Sequence, residues 1–115
     1  MSLTINIYYT GTNGNAKKFA DEMESSGIAS AIRAESGNLK YNYFIPLNDS
    51  ETILLVDSWT DQEALDAHHN TKMMQDLALL REKYDLHMRV ERYILDNCEM
   101  PNSDYKFIRR YGKQV

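Results

Sequence analysis

The chain has 115 residues, 43% of them hydrophobic and 26% charged, which suits one domain with a packed core that is small enough to gain from a partner subunit. A net charge of −4 at pH 7 argues against a general nucleic-acid binder or a protein held on an anionic membrane. There is no apolar run of membrane-spanning length and no basic-then-apolar leader, and Cys98 has no partner for an internal disulfide, so the expectation is a reduced, cytoplasmic protein with no membrane association.

From the N-terminus, Leu3, Ile5, Ile7 and Tyr9 alternate with Thr4, Asn6, Tyr8 and Thr10, the pattern of a strand with one apolar face. Gly11 to Asn15 turns into a helix whose stripe is Ala16, Phe19, Ala20 and Met23. Ser25-Ser26-Gly27 weakens or ends it, and Ile28, Ala31 and Ile32 repeat the spacing in a short second helix or bent continuation towards Glu35. Gly37-Asn38 marks a turn. Leu39, Tyr41, Tyr43 and Ile45 then share one face of a second strand, which Pro46 ends, and Asn48-Asp49-Ser50 reverses the chain.

The returning strand, Thr52 to Trp59, carries Ile53-Leu54-Leu55-Val56, apolar at both parities, so both of its faces should be buried. Helices after the first and third strands can cover only one face of a small sheet. The second face needs another cover, which predicts a homodimer.

Thr60 and Glu63 have capping-box spacing at the head of a brief helix, Asp61 to His69. Asn70 or Thr71 is placed to cap the next helix, with Met73, Met74, Leu77, Ala78, Leu80 and Tyr84 roughly on one side. His87 to Leu95 reads as a fourth strand with Met88, Val90, Arg92 and Ile94 on one face. The order β-α-β-β-α-β is that of a ferredoxin-like α+β fold with an antiparallel sheet. This reading divides the chain into a domain over residues 1–96 and an extension over 97–115, where Tyr105 to Tyr111 alternates as a candidate fifth strand.

Phosphate-binding glycine loops, dinucleotide fingerprints and nucleophile elbows are missing, so no cofactor is expected. His68 and His69 project about 100° apart on a helix, so no metal site is expected from them or from His87.

The segments Glu35-x-Gly37-Asn38-Leu39-x-Tyr41 and Trp59-x-x-x-Glu63-Ala64-Leu65-x-x-His68 resemble the antibiotic biosynthesis monooxygenase family over roughly Leu3 to Leu95. The resemblance implies a ferredoxin-like domain paired into a dimeric α+β barrel. It implies monooxygenase activity without a cofactor on a small planar electron-rich molecule, a quinol or polycyclic phenol. An isomerase using the same pocket and a non-catalytic small-molecule-binding domain are the alternatives, because the family spans several chemistries.

The family's tryptophan and helix histidine fall on Trp59 and His68, which the resemblance makes the catalytic candidates: Trp59 as a pocket wall, His68 as the proton acceptor. The pocket asparagine that the haem-degrading branch has in the first strand falls on Asn6. The asparagine four residues before the tryptophan in cofactor-free polyketide oxygenases is replaced by Leu55, and Leu77-Ala78-Leu79 stands where the haem-degrading branch has its histidine. Asn6, Tyr41, Leu55, Met73 and Leu77 complete the expected substrate contacts. The cavity is expected between sheet and helices, with Trp59 on the sheet side and His68 near its mouth. By ideal helical rise, His68 lies about 12 Å along the axis from Trp59, so direct contact between them is not assured.

Overall fold

A computed structural model describes residues 1–109. The strands are β1 (Leu3–Thr10), β2 (Asn38–Phe44), β3 (Thr52–Trp59) and β4 (His87–Ile94). The helices are α1 (Asn15–Ser25), α2 (Ile28–Arg33), α3 (Gln62–His69), α4 (Met73–Lys83) and the single turn α5 (Asn102–Tyr105). The strands form one antiparallel sheet in the order β2-β3-β1-β4, as the α+β ferredoxin-like reading requires.

Strand parity decides what reaches the core. Leu3, Ile7 and Tyr9 of β1 pair with Trp59, Leu55 and Ile53 of β3, and all six are buried on the helix side. The stripe of α1 packs onto this face: Phe19 lies 4.9 Å from the Tyr9 ring and edge-on to Tyr43. In α2 the buried residues are Ala29 and Ile32, so Ala29 takes the inward place expected for Ala31. Leu77 anchors α4, with Met73, Met74, Leu80 and Tyr84 packed around it and Ala78 left exposed.

A bulge in β2 corrects the second-strand pattern. Asn38 pairs with Trp59 but Lys40 pairs with Ser58, so Leu39 is the extra residue and is 55% exposed. Beyond it Tyr41 pairs with Asp57 and Tyr43 with Leu55, which turns both tyrosines inward, while Ile45 lies past the strand and is exposed.

The opposite face, carrying Asn6, Tyr8, Leu54 and Val56, is covered by no helix among the described residues. On β4, Met88, Val90 and Ile94 share the helix-side parity of Tyr9, Ile7 and Leu3 but remain exposed at the sheet edge.

Two caps differ from expectation. Thr60 N–H donates to the Gly37 carbonyl at 2.8 Å and so still belongs to the strand pairing. Asp61, in extended backbone, therefore caps α3 and accepts from Ala64 N–H at 2.8 Å, in place of a Thr60–Glu63 box. The Thr71 hydroxyl donates back to the His68 carbonyl, closing α3, and α4 begins after Lys72 without a side-chain cap.

The candidate fifth strand is also corrected for its described part. Residues 102–105 form the turn α5, and Phe107 and Ile108 N–H bond to Asp104 and Tyr105 carbonyls, so local turn bonds replace a ladder. Arg110 and Tyr111 lie outside the described residues.

Candidate active site

The site is assembled by the tight passage at Gly37. Its φ of +85° is open to glycine, and a Cβ there would stand 2.5 Å from the Ala64 Cβ. This close approach lays α3 against the turn that follows Glu35. Seven residues beyond Asp61, His68 returns to that turn, and its Nδ1 meets Glu35 Oε2 at 2.7 Å. With Glu35 as the carboxylate, Nδ1 carries the proton and donates it, which leaves the lone pair on Nε2. No described residue hydrogen-bonds Nε2.

Trp59 ends β3 pointing inward and is fully buried. Its Nε1–H donates to Asp57 Oδ1 at 2.7 Å, and its ring stacks on His68 with centroids 4.8 Å apart and planes 28° from parallel. The Asp57 carboxyl is 5% exposed. Burial pushes its pKa up to about 6, against the opposing pull of the Trp59 hydrogen bond and of His68.

Beside Asp57 lies a cluster of tyrosines. The Tyr41 and Tyr43 hydroxyls are 3.0 Å apart, and burial raises both phenols well above the ordinary range, so both stay neutral. Tyr9 is raised by burial too, and its hydroxyl accepts from Arg81 Nη2 at 3.1 Å.

The sequence-derived candidates divide between the two faces of the sheet. Trp59, Tyr41, Leu55 and Leu77 share one buried cluster with Met73 packed against it, and His68 joins through the stack. Asn6 does not: it lies opposite Val56 and Glu91 on the other face, its Oδ1 buried without a partner. His68 is also not at a cavity mouth. It is 3% exposed and touches Trp59 directly, because the chain reverses at Thr60-Asp61 and the distance along the helix axis is not the distance through space. His69 and His87 are exposed.

Sequence reasoning did not single out Asp57, Glu35 or Arg81, the residues that contact Trp59, His68 and Tyr9 here. Asp57 was detectable: a carboxylate at an inward position between Leu55 and Trp59 breaks an otherwise apolar row. Glu35 stands in the family-like segment, but only the fold shows its partner.

Four surface cavities of about 500, 530, 220 and 270 Å³ open on the described residues, and none of the four is lined by Trp59 or His68. Met73 lines the second, between α2 and α4, and Tyr43 lines the third, beside α1. On the helix side of the sheet, where a ligand cavity is expected, the His68 imidazole itself lies stacked on Trp59 and both rings are buried. No helix is long and apolar enough to cross a membrane among the described residues.

Fold and site together define an α+β sheet domain with a buried Trp–His pair flanked by acids. The chain belongs to the antibiotic biosynthesis monooxygenase family, whose model matches residues 2–78. It is 29% identical to YcnE of Bacillus subtilis over 52 residues, 45% of this chain and 55% of YcnE, so the match spans about half the length of that relative. PA3566 from Pseudomonas aeruginosa superposes with a TM-score of 0.69 at 26% identity, covering 83% of this chain and 95% of the other. SnoaB, a cofactor-independent oxygenase from Streptomyces nogalater, superposes with a TM-score of 0.70 at 11% identity, covering 88% and 98%, a likeness of fold alone.

Proposed function

We propose that this chain is a cofactor-independent monooxygenase acting on a small, planar, electron-rich phenol or quinol. The observation that carries the reading is His68: its Nδ1 is held by Glu35, its ring is flat on Trp59, and its Nε2 has no described hydrogen-bond partner. A neutral imidazole oriented by a carboxylate is a proton acceptor at physiological pH.

In this mechanism Nε2 removes the substrate hydroxyl proton. The resulting anion gives electrons to dioxygen and forms a carbon–peroxide bond. Loss of the hydrogen on that carbon with cleavage of the O–O bond leaves one oxygen as a ring carbonyl and releases the other as water. The carbon is oxidised, dioxygen is reduced, and the abstracted proton leaves with the water. Trp59 supplies a flat apolar wall, and Met73 with Leu77 form the adaptable side that must give way for a ring to enter. Tyr41 and Leu55 border the same space, whereas Asn6 serves no step at this centre. The functional unit in this reading is a homodimer joined across the helix-free face of the sheet.

Oxygen uptake with a panel of hydroquinones and naphthols tests this. Uptake that is saturable, inserts one oxygen atom to give the quinone from a naphthol and the hydroxyquinone from a hydroquinone, and disappears in His68→Ala is the expected result. A second reading, a small-molecule-binding domain without turnover, draws on the filled space beside Trp59 and on Leu55 in the place of an amide. Ligand-induced thermal stabilisation with no uptake by any member of the panel would leave that reading standing.

A further inference from the structure

We infer that Arg81 is the anion receptor of this site, and that it selects the oxyanion form of a planar hydroxyaromatic or hydroxyquinone ligand through its guanidinium edge. The inference deepens the proposed function and rests on it for the identity of the site.

Arg81 lies on α4 one turn beyond Leu77 and reaches across Tyr9 of β1. Its Nη2 donates to the Tyr9 hydroxyl at 3.1 Å, its Cζ is 5.6 Å from the Tyr9 ring centroid, and its Nε is sealed from solvent with no acceptor. No described carboxylate lies within 4.0 Å of the guanidinium, whereas the more exposed Lys83 and Arg89 are paired with Glu22 and Glu91. Tyr9 cannot supply the missing charge, because burial keeps its phenol protonated.

A half-buried cation with an unused donor is costly to fold around and is retained where a ligand completes it. Nε and Nη2 form one edge of a planar fork, which fits two adjacent oxygens of an anion. The guanidinium reaches the cluster that holds the proposed base through Tyr9, which is buried together with Trp59, the ring on which His68 stacks. Its positive charge acts on the His69 imidazole, whose pKa is lowered mainly by burial and by His68 and further by Arg81, and the His69 ring is 5.6 Å from that of His68. Removal of a proton by His68 creates an oxyanion, and a fixed cation nearby stabilises the charge as it forms.

Calorimetric titration under nitrogen with 2-hydroxy-1,4-naphthoquinone, an anion at neutral pH, and with its uncharged 2-methoxy analogue tests the inference. Wild-type protein should prefer the anion. Arg81→Met should weaken the anion by about tenfold or more and the methoxy compound by less than about twofold, with Arg81→Lys between, since it keeps the charge without the fork. Circular dichroism establishes that the variants are folded, and Arg81→Lys serves if Arg81→Met is not. Equal affinity of wild type and Arg81→Met for the anion would mean that Nε is satisfied by trapped water, and would overturn the inference. Equal loss of both compounds, or no binding of the anion by wild type, would also overturn it. His68→Ala should still bind the anion. Arg81-dependent binding without oxygen uptake in any assay would therefore reject the monooxygenase reading and keep the receptor.

Discussion

His68 and Trp59 are stacked ring on ring, and each ring is tethered to a different carboxylate: the imidazole to Glu35 and the indole to Asp57. The two tethers come from opposite directions, one from the turn before β2 and one from within β3. Neither ring can be removed without stranding an acid in a poorly hydrated place.

Replacing His68 by alanine is therefore expected to affect both stability and turnover. Leaving Glu35 without its partner and opening a void beside Trp59 should cost about 1–3 kcal/mol, measured by chemical denaturation. If His68 is the base, turnover should fall by about 10²-fold or more. His68→Gln, which retains most of the volume, should recover part of the stability and none of the turnover. Recovery of turnover in His68→Gln would remove the base role.

Asp57 predicts an unusual pH dependence. Its folded pKa of about 6 lies above the ordinary value of 3.8, so the folded state holds the proton more tightly than the unfolded chain does. Its contribution to stability is complete below pH 3.8 and is lost as pH rises through 6, a span of about 3 kcal/mol at 1.36 kcal/mol per pKa unit. Glu22 and Glu24 run the other way: hydrogen bonds from Lys83 and Arg33 lower their pKa values, so their contributions are lost in acid. The measurement is thus a difference. Asp57→Asn minus wild type, followed by denaturation from pH 4 to 8, should become more favourable to the variant as pH rises. A flat difference would contradict the assignment.

Gly37→Ala should disturb the site at a distance from its chemistry. The added methyl meets the Ala64 Cβ at 2.5 Å and the Thr60 Oγ1 at 2.8 Å, so α3 must move. The expected cost is about 2 kcal/mol or more, with the His68–Glu35 contact loosened. Gly14→Ala is the control, since Gly14 also has positive φ but nothing within 4 Å of the new methyl. It should cost only the backbone strain, about 1 kcal/mol. Equal losses in the two variants would show that the contact with α3 is unimportant.

The proposed dimer is tested at two adjacent leucines. Leu54 faces the side that no helix covers and Leu55 faces the core. An obligate interface typically buries upward of about 2,000 Å² in total, so Leu54→Asp should yield a folded monomer by light scattering whereas Leu55→Asp should not fold. A stable wild-type monomer at micromolar concentration would reject the dimer.

Period-two and helical stripes read along the chain identified the four core strands and the inward faces of α1 and α4, because these depend only on local spacing. Tyr105 to Tyr111 shows where spacing alone misleads: over the described residues, Pro101-Asn102-Ser103-Asp104 favours turns, and the alternation that follows has no strand beside it. At the site, Trp59 and His68 were legible as individual residues. Their contact was not, because it depends on a chain reversal that changes separation in sequence into proximity. The pairing of Glu35 with His68 across 33 positions and the approach of Arg81 to Tyr9 across 72 are likewise products of tertiary packing alone.

The bulge at Leu39 has a consequence for the chain's tolerance of length change. With Asn38 pinned opposite Trp59, Leu39 is one residue of slack: its removal leaves Lys40 opposite Ser58 and Tyr41 opposite Asp57 in an unbroken ladder. Tyr43 likewise keeps its place opposite Leu55. The strand can therefore absorb a one-residue deletion at Leu39, whereas the same deletion at Asn42, where the ladder is regular, acts like a frameshift: it puts Tyr43 opposite Val56 and inverts the meaning of every position after it.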